Sequence, residues 1–543
     1  MENLSSFNRP QIIQNLKTER YDLLIIGGGI TGAGIALDAA SRGLRTALVE
    51  KNDIASGTSS RSTKLIHGGL RYLKQLEFGL VKEVGTERAV LHRLAPHLVV
   101  PEKMLLPLYE KRGFGSLLTS LGLKLYDWLA GVKPADQRKM LTKKQTVEYE
   151  PLLRPDEVKG GAIYAEYRTD DARLTIEIIK TAAQHGAEVI NYCCVTDFIY
   201  REEKIIGVRV KNEIEGNGFE IRATIVVSAA GPWVDELREI NHSKKGKRLH
   251  LTKGVHIVVA RDSLPVKQAI YFDAEDGRMI FAIPRGPTTY VGTTDTNYTG
   301  NKDEVYASLE DAVYLVRAVN RTFPEAKLML ADIESSWAGL RPLIHEEGKS
   351  ASELSRKDEI FESPTGLISI AGGKLTGYRK MAERIVDLVI DKSFQDRSLK
   401  DCITDRIHLL GSGFKNYDEV RSYRSIVLDH IRKLGLPDVY AYYLVSNFGK
   451  QTDLILKDIK GGDPEMELFK AGLRFTFRNE LVIKPLDFFV RRTGMLYFYK
   501  NRIAQVKDAV LGEFQEQFGW DAVKRNIEEE NLEKAIIKVT DFK

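Results

Sequence analysis

Residues 21–50, which read YDLLIIGGGITGAGIALDAASRGLRTALVE, decide the fold. An apolar run leads into glycines with the spacing GxGxxG, and an apolar stretch with helical periodicity follows. A second short strand then ends at Glu50, about 20 residues beyond the glycines. A lone GxGxxG also occurs in plain structural turns, but here strand, glycines, helix and acidic strand end agree in order. These residues therefore predict a dinucleotide-binding fold.

The chemistry of this turn indicates which dinucleotide is bound. Glycine lets backbone N–H groups approach a pyrophosphate, and the N-terminus of the helix attracts its negative charge. A carboxylate at the end of the second strand accepts from ribose hydroxyl groups, which favours FAD or NAD over a phosphorylated ribose. The residues of this part that we expect to contact the cofactor are Gly27, Gly29, Ile30, Thr31, Gly32, Glu50 and Lys51.

The composition is that of an ordinary globular protein. The chain has 543 residues, 43% hydrophobic and 29% charged, a length that predicts two or three domains. Its 80 basic and 75 acidic residues leave a net charge of +5, which argues against nucleic acid as a partner. Three cysteines without a CxxC pair argue against disulfides and zinc, so we expect no metal and a cytoplasmic location. We also expect no signal peptide and no transmembrane helix.

Residues 52–72 are rich in serine, threonine and glycine and end in the motif HGGLRY. After a dinucleotide fold, small hydroxyl side chains and open backbone suit phosphates and a ribityl chain. The motif adds an imidazole, a guanidinium and a phenol beside two glycines, although a surface turn with a solvated arginine is the alternative. The cofactor candidates in this segment are Thr58, Ser59, Ser62, Lys64, His67, Gly68 and Gly69.

Two later strands also run into glycines. Residues 225–233 end in AAGPW, where a chain can pass close under a cofactor. Residues 367–380, LISIAGGKLTGYRK, predict a strand, a Gly-Gly turn and a helix start that point N–H groups at an electron-rich group, such as a flavin ring; a plain structural turn is the alternative. Further cofactor candidates are Val195, Ala230, Gly231, Trp233, Gly339, Arg341, Gly372, Gly373, Lys374, Leu375 and Thr376.

The rest of the chain shows three kinds of sequence pattern. Residues 250–295 contain several strand-like runs that predict an antiparallel, substrate-facing sheet. From about residue 398 the pattern becomes helical and charged, which predicts a helical cap domain. Residues 114–129 are amphipathic and flanked by basic residues, so they either lie in a membrane interface or pack on the core as an ordinary helix.

The combined motifs resemble those of one enzyme family. The glycine turn, HGGLRY, SAAGPW, WAGLRPL and AGGKLTGYR are similar to those of the FAD-dependent, quinone-linked glycerol-3-phosphate dehydrogenases, within the glycine oxidase and D-amino-acid oxidase superfamily. The likeness covers nearly the whole chain. It implies hydride transfer from C2 of sn-glycerol 3-phosphate to FAD, formation of dihydroxyacetone phosphate, and reoxidation by membrane quinone. It also implies peripheral attachment to the cytoplasmic face of the membrane, and a homodimer is compatible with it.

The resemblance implies an α/β fold with a Rossmann-like FAD-binding domain, an antiparallel-sheet substrate domain and a C-terminal helical cap domain. The FAD-binding domain takes residues 18–100, 156–245 and 356–397. Residues 101–155 form a basic amphipathic insertion that belongs to the substrate domain, whose main part is 246–355. Residues 398–543 form the helical domain.

The resemblance also assigns substrate-binding residues. Arg341 and Arg356 match family positions that hold the phosphate, and arginine suits bidentate contacts to its oxygens. Arg71, Tyr72 and Lys374 match positions near the phosphate and the C2 hydroxyl.

Oxidation of an alcohol requires a group that takes the hydroxyl proton. His67 is the first candidate because imidazole titrates near neutral pH, and His256 and Lys374 are its rivals. We group Arg71 with His67 and Lys374 as catalytic, and we count His256 among the substrate-binding residues.

Three alternatives stay open. A glycerophosphate oxidase would pass electrons to oxygen, but the inserted region that such oxidases carry is not evident here. An amine oxidase of the glycine or sarcosine oxidase type would keep the fold and need fewer cations. A non-catalytic FAD-binding or tRNA-associating protein is the third, and the nearly balanced charge argues against RNA.

Overall fold

The computed structural model describes residues 4–66, 78–109, 137–345 and 358–542. The strands of these ranges are β1 (Arg20–Ile26), β2 (Thr46–Val49), β3 (Leu65–Ile66), β4 (Val100–Tyr109), β5 (Lys139–Thr142), β6 (Val158–Arg168), β7 (Glu188–Ile190), β8 (Cys193–Arg201), β9 (Lys204–Asn212), β10 (Gly218–Ser228), β11 (Leu249–Ala260), β12 (Ala269–Asp273), β13 (Met279–Arg285), β14 (Thr288–Gly292), β15 (Thr296–Asn297), β16 (Ile333–Ile344), β17 (Asp358–Glu362) and β18 (Ile368–Gly372).

Helices lie between the strands and fill the C-terminal part. They are α1 (Arg9–Thr18), α2 (Ile30–Arg42), α3 (Phe78–Leu94), α4 (Lys143–Tyr149), α5 (Asp171–Gln184), α6 (Val234–Ile240), α7 (Leu309–Thr322), α8 (Tyr378–Ser393), α9 (Tyr417–Lys433), α10 (Val439–Phe448), α11 (Thr452–Lys457), α12 (Pro464–Asn479), α13 (Pro485–Asp487), α14 (Met495–Phe498), α15 (Lys500–Phe518) and α16 (Ala522–Lys538). None of these helices is long and apolar enough to cross a membrane.

The first sheet is built around β1. Its main order is β17-β18-β10-β1-β2-β7, and β1 is parallel to both of its neighbours, β10 and β2. Leu23, Leu24 and Ile25 of β1 are fully buried, as expected for a strand covered by helices on both faces. Helix α2 packs between α5 and α8. The carboxyl ends of β1, β2 and β10 therefore meet at one edge, beside the glycine turn.

The second sheet has ten strands and is mostly antiparallel, with the main order β15-β11-β14-β13-β12-β4-β6-β3; β16 joins it beside β11 and β5 beside β6. One face packs against α7 through a core that includes Ala312, Leu315 and Val319. Because side chains alternate along a strand, the other face of β4, β12 and β13 is left for the space between the two sheets.

The C-terminal helices, α9–α16, form two apolar clusters. Helices α9–α12 enclose a core of their own, and α12–α16 share a second core with Tyr290 and Trp337 of the second sheet. The predicted α/β class with a helical C-terminal region is confirmed. Residues 485–498 have roughly helical apolar spacing but form α13, a π-helical turn (Phe488–Arg492) and α14, and Gly494, with a left-handed φ of +67°, separates the π-helical turn from α14.

Buried ion pairs join the C-terminal helices to α5. Arg173 donates to Glu480 at 2.7 and 3.0 Å, and Lys180 donates to the same carboxylate at 3.0 Å. All three side chains are at most 2% exposed. The first residues of the described chain also dock here, since the Ser6 hydroxyl donates to the carbonyl of Val482 at 2.7 Å.

Candidate active site

The glycine turn after β1 depends on the absence of side chains. Gly27 has a φ of +115°, and a Cβ there would lie 2.7 Å from the carbonyl oxygen of Ala229. A Cβ on Gly32 would lie only 1.9 Å from the carbonyl oxygen of Gly27. At Gly29 the one atom near such a Cβ is the Ser59 hydroxyl, at 3.2 Å. The turn is thus tightly packed on α2 but open on its outer side.

Glu50 ends β2 beside this turn and is 9% exposed. One carboxylate oxygen accepts from the N–H of Gly28 at 2.7 Å, and the other accepts from the N–H of Asn52 at 2.8 Å. Burial raises the pKa of Glu50, and these two N–H groups oppose that rise. Each oxygen retains a lone pair for a further donor, such as a ribose hydroxyl.

The glycine turn and Glu50 form the first wall of an enclosed space, and residues around Ser59 and Lys51 form a second wall that faces the turn. The Ser59 hydroxyl accepts from the N–H of Ile30, the first residue of α2, at 2.9 Å. The Lys51 ammonium pairs with Asp303 at 2.5 Å and lies 4.2 Å from the centre of the Trp233 ring. This pair links the end of β2 to a loop that follows β15, so segments from both sheets contribute to the wall.

The third wall comes from residues 371–377. Gly372 and Gly373 have φ values of +79° and +75°, and a Cβ on Gly373 would lie 2.5 Å from the sulfur of Met381. The helix that we expect directly after them begins later, at Tyr378, because a 3₁₀ turn over Leu375–Gly377 intervenes. The Gly-Gly turn and the 3₁₀ turn therefore present their backbone to the enclosed space.

These walls enclose a cavity of about 1410 Å³. Single small-molecule pockets usually measure about 300–1,000 Å³, so this one has room for a cofactor together with a substrate. The predicted cofactor residues that line it are Gly27, Gly29, Ile30, Thr31, Glu50, Lys51, Thr58, Ser59, Ser62, Val195, Ala230, Gly231, Trp233, Gly339, Arg341, Gly372, Gly373, Lys374, Leu375 and Thr376.

Two predicted cofactor residues lie beside the cavity without lining it. Gly32 is packed under the glycine turn. Lys64 is 3% exposed, and its ammonium is 2.5 Å from Asp171. Asp171 also accepts from the hydroxyl of Ser62 at 2.6 Å, so Lys64 supports the cavity-lining loop through this carboxylate. Its charge is committed to this pair, which places it away from a ligand.

Arg341 lies on β16, and its guanidinium lines the cavity. It donates to the hydroxyl of Thr293 at 2.9 Å and pairs with Asp295 at 3.3 Å. A Cβ on Gly254 of the neighbouring strand β11 would lie 2.2 Å from this guanidinium. Thr293, Asp295 and Gly254 surround this guanidinium and were not predicted from the sequence; a glycine inside a strand was the one available signal of close approach.

His256 lies on β11 and also lines the cavity, although it is only 1% exposed overall. Its Nε2 is 3.0 Å from the Thr63 hydroxyl, and its ring stacks on Trp337 at 4.7 Å. Burial, followed by the charges of Arg341 and Lys64, holds the pKa of His256 well below its usual value. Its Nδ1 makes no hydrogen bond with the described part of the chain. His256 is thus a neutral imidazole in the lining.

Several predicted residues lie outside the described residues. They are His67, Gly68, Gly69, Arg71, Tyr72 and Arg356, together with the amphipathic stretch 114–129. Of the predicted substrate and catalytic residues, the structure brings His256, Arg341 and Lys374 together in one cavity.

Comparison with known proteins identifies the family. A family model described as FAD dependent oxidoreductase matches residues 22–378, and one described as the C-terminal domain of alpha-glycerophosphate oxidase matches residues 402–525. The aerobic glycerol-3-phosphate dehydrogenase of Bacillus subtilis (strain 168) is 48% identical over 540 residues, which are 98% of this chain and 97% of that protein. The chain belongs to the aerobic glycerol-3-phosphate dehydrogenase family.

Solved structures agree with this membership. The glycerol-3-phosphate dehydrogenase from Bacillus halodurans, complexed with FAD, matches with a TM-score of 0.85 and 43% identity over 99% of each chain. An L-alpha-glycerophosphate oxidase from Mycoplasma pneumoniae matches 71% of this chain with a TM-score of 0.56 and 18% identity, which indicates a shared fold. The predictions of the family, of its class of enzyme and of FAD as the cofactor are confirmed.

The cavity of this dehydrogenase fits FAD. The glycine turn leaves its outer face open, as a pyrophosphate requires, and each carboxylate oxygen of Glu50 accepts one N–H and retains a lone pair that a ribose hydroxyl could use. The Trp233 indole N–H is buried in the lining and has no hydrogen-bond partner among the described residues. An unsatisfied buried donor of this kind suits a bound polar group.

Proposed function

We propose that this dehydrogenase oxidises sn-glycerol 3-phosphate to dihydroxyacetone phosphate and that a membrane quinone takes the electrons. FAD, when bound, supplies the chemistry by accepting the hydride from C2 of the substrate. The observation that carries the proposal is the presence of the Arg341 guanidinium and the neutral His256 imidazole in the lining of one cavity. One of these groups suits a phosphate and the other suits a hydroxyl proton.

Arg341 binds the phosphate of the substrate. A phosphate dianion favours a fixed guanidinium, which can donate two parallel hydrogen bonds. Thr293 and Asp295 hold this guanidinium from one side, and Gly254 leaves space for it on the other. Lys374 lines the same cavity and adds a second cation. Arg356, Arg71 and Tyr72 complete this site according to the sequence resemblance.

Among the described candidates, His256 is the favoured acceptor of the C2 hydroxyl proton. The neutral imidazole has a ring nitrogen lone pair that can accept a proton, whereas the burial and the nearby cations that lower its pKa make it a weak base. Its ring is held by Thr63 and Trp337, so its orientation is fixed before substrate arrives. His67 remains the first prediction from sequence and Lys374 the other rival.

The sequence resemblance to quinone-linked dehydrogenases supports quinone as the electron acceptor and peripheral attachment at the cytoplasmic face of the membrane. It is also the basis for residues 114–129 or the basic C-terminal helical cap as the membrane contact, and a homodimer is compatible with it. A second candidate acceptor is oxygen. The match of residues 402–525 to an alpha-glycerophosphate oxidase domain is the observation that favours testing it.

The test is an anaerobic titration of the FAD-loaded protein with sn-glycerol 3-phosphate, followed by flavin absorbance. We expect bleaching, and recovery much faster with a soluble quinone analogue than with air. Faster recovery with air would assign an oxidase instead. Bleaching by glycine or sarcosine alone would move the substrate assignment to the amine oxidases, and no bleaching with any of them would refute the proposed reaction.

A further inference from the structure

Asp53, three residues beyond Glu50, is held by the C-terminal helices. Its carboxylate is fully buried, and Arg492 donates to both of its oxygens, at 2.6 and 2.9 Å. The neighbouring Arg491 also pairs with it. A bidentate guanidinium and a second cation on one carboxylate make a strong and directional contact. The C-terminal helices thus contact the chain only three residues beyond Glu50, the expected ribose-binding acid.

Further hydrogen bonds hold the guanidinium groups of Arg491 and Arg492 in place. Arg492 donates to the carbonyl of Glu480 at 2.7 Å, and Arg491 donates to Asp487 at 2.8 Å. Successive residues of an α-helix point in different directions, so two of them do not normally meet one group. Here they lie in the π-helical turn Phe488–Arg492, which brings both guanidinium groups to Asp53. Such π-helical turns are rare and often mark functional sites.

The segment that carries Asp53 supports the cofactor wall directly. The N–H of Asn52 donates to Glu50 at 2.8 Å, and the N–H of Ala55 donates to the carbonyl of Gly28 in the glycine turn at 3.0 Å. Ala55 adopts a left-handed φ of +62°, which an alanine holds only when its surroundings impose it. Asp53 lies between these two contacts and is the fixed point of the segment.

We propose that Arg491 and Arg492 are positioning residues for FAD: through Asp53 they hold Glu50 and the glycine turn in the geometry that binds the adenosine half of the cofactor. None of the described residues of α9–α16 lines the cavity, yet these helices act on cofactor affinity from behind. The proposal depends on FAD binding and holds whichever substrate or electron acceptor the dehydrogenase uses.

The experiment compares FAD affinity of purified apoprotein, measured by quenching of flavin fluorescence, for the wild type and Arg492→Met. We expect the dissociation constant to rise about tenfold or more, a coupling of about 1.4 kcal/mol. At saturating FAD, kcat and the KM for sn-glycerol 3-phosphate stay unchanged. Arg492→Lys keeps one cation without the bidentate contact, so its affinity should fall between the two.

Arg474→Met is the matched control. Arg474 lies on α12, is 2% exposed and pairs with Asp458 and Glu513, within the C-terminal helices. Its loss should lower the melting temperature and leave the FAD dissociation constant unchanged. If Arg492→Met binds FAD as the wild type does, or if Arg474→Met weakens FAD equally, the contact is merely structural and the proposal is wrong.

Asp53→Asn provides a second variant of nearly unchanged shape. If the arginines act through Asp53, Asp53→Asn weakens FAD binding by itself, and the double variant with Arg492→Met is no weaker than the more affected single one. Fully additive effects would overturn the proposed route. Neither outcome depends on sn-glycerol 3-phosphate, so the result is independent of the proposed reaction.

Discussion

Arg341 reaches the cavity because residue 254, on the adjacent strand, has no side chain. The guanidinium then has Thr293 and Asp295 as partners, and both lie in the turn between β14 and β15. Asp295 balances the charge of Arg341 before substrate binds, and a phosphate adds the bidentate contact that a single carboxylate at 3.3 Å does not make. The proposed contribution of Arg341 to phosphate binding therefore depends on its charge and on the space around it.

Arg341→Ala should raise the KM for sn-glycerol 3-phosphate about 10- to 100-fold, because a charge-assisted hydrogen bond contributes about 1.5–3 kcal/mol. FAD content should stay at the wild-type level. Steady-state kinetics and flavin absorbance measure the two quantities. Arg278→Ala is the control, since Arg278 lies at the cavity rim, 44% exposed, and pairs with Asp276. An unchanged KM in Arg341→Ala would remove Arg341 from the phosphate site.

Gly254→Ala should raise the same KM without removing any charge. The new Cβ would lie 2.2 Å from the Arg341 guanidinium and would displace it. Gly472→Ala is the matched control, because a Cβ there meets no atom within 4 Å. Both variants can be compared by substrate titration at saturating FAD. Equal KM values would mean that the guanidinium does not need its present position.

Among individual residues, those that belong to sequence motifs could be predicted. Those that only contact a motif residue in the folded protein could not. Arg341 and Lys374 stand in recognisable segments, and both line the cavity. Gly254 and Asp295 meet Arg341 because three strands lie side by side, and their separation in sequence gives no period or spacing that reports it. Pairing of strands in space is the information that a single sequence lacks.

The glycine turn and α2 act as one element. Gly29 faces outward, toward the cavity, whereas Gly32 packs inward against the carbonyl of Gly27. The two glycines therefore serve different purposes although they belong to one motif. One leaves room for the cofactor, and the other lets the helix approach the strand.

Gly29→Val should give a folded protein that purifies with little flavin, because the new side chain occupies the open face of the turn. Gly32→Ala should reduce the yield of folded protein itself, since its Cβ would overlap the Gly27 carbonyl at 1.9 Å. Circular dichroism and the flavin-to-protein absorbance ratio separate the two effects. Full yellow colour in Gly29→Val would contradict the role of this turn.

Helix and strand types followed well from periodicity, but two boundaries did not. The 3₁₀ turn before α8 and the π-helical turn between α13 and α14 keep an apolar pattern close to that of an α-helix. These turns differ from an α-helix in which carbonyl accepts from each backbone N–H, and tertiary packing determines that choice. Gly494 carried the one local sign of a break.

Over the whole molecule, Glu480 is one of the buried residues that join the C-terminal helices to α5. Its carboxylate pairs with Arg173 and Lys180 of α5 and lies 3.5 Å from Arg492. Burial alone would raise the pKa of Glu480, but the charges of Arg173 and Lys180 outweigh it and lower the pKa to about 2. The ionised carboxylate therefore stabilises the docked arrangement.

Glu480→Gln should lower the free energy of unfolding by about 3 kcal/mol at pH 7, because it leaves buried cations without their partner. Glu480 has a depressed folded pKa, so its contribution is complete above its ordinary value of 4.5 and is lost as pH falls toward about 2. The difference between variant and wild type should therefore shrink over that range.

Urea unfolding at several pH values measures this difference. Asp418→Asn, which changes a carboxylate that is 75% exposed, is the control and should show no such trend. A difference that stays constant from pH 7 to pH 3 would show that the charge of Glu480 is not responsible.

Composition and periodicity predicted an α/β part followed by a helical C-terminal part. They did not predict how these two parts pack against each other. Arg173 and Glu480 are 307 residues apart, and each looks in the sequence like an ordinary surface charge on a helix. Arg173 and Glu480 are buried only when the two parts pack together, and no local sequence pattern predicts this burial.

If Arg491 and Arg492 position the cofactor site through Asp53, as proposed above, this contact also sets an order of events during translation. A ribosome releases the glycine turn early, and Arg491 and Arg492 emerge only near the end of synthesis. Leu4 likewise waits for Leu481, whose N–H donates to its carbonyl at 2.9 Å. A nascent chain can therefore form its first strands long before it can retain flavin firmly. On the same proposal, a polypeptide shortened by a premature stop codon before Arg491 lacks this contact and binds FAD weakly.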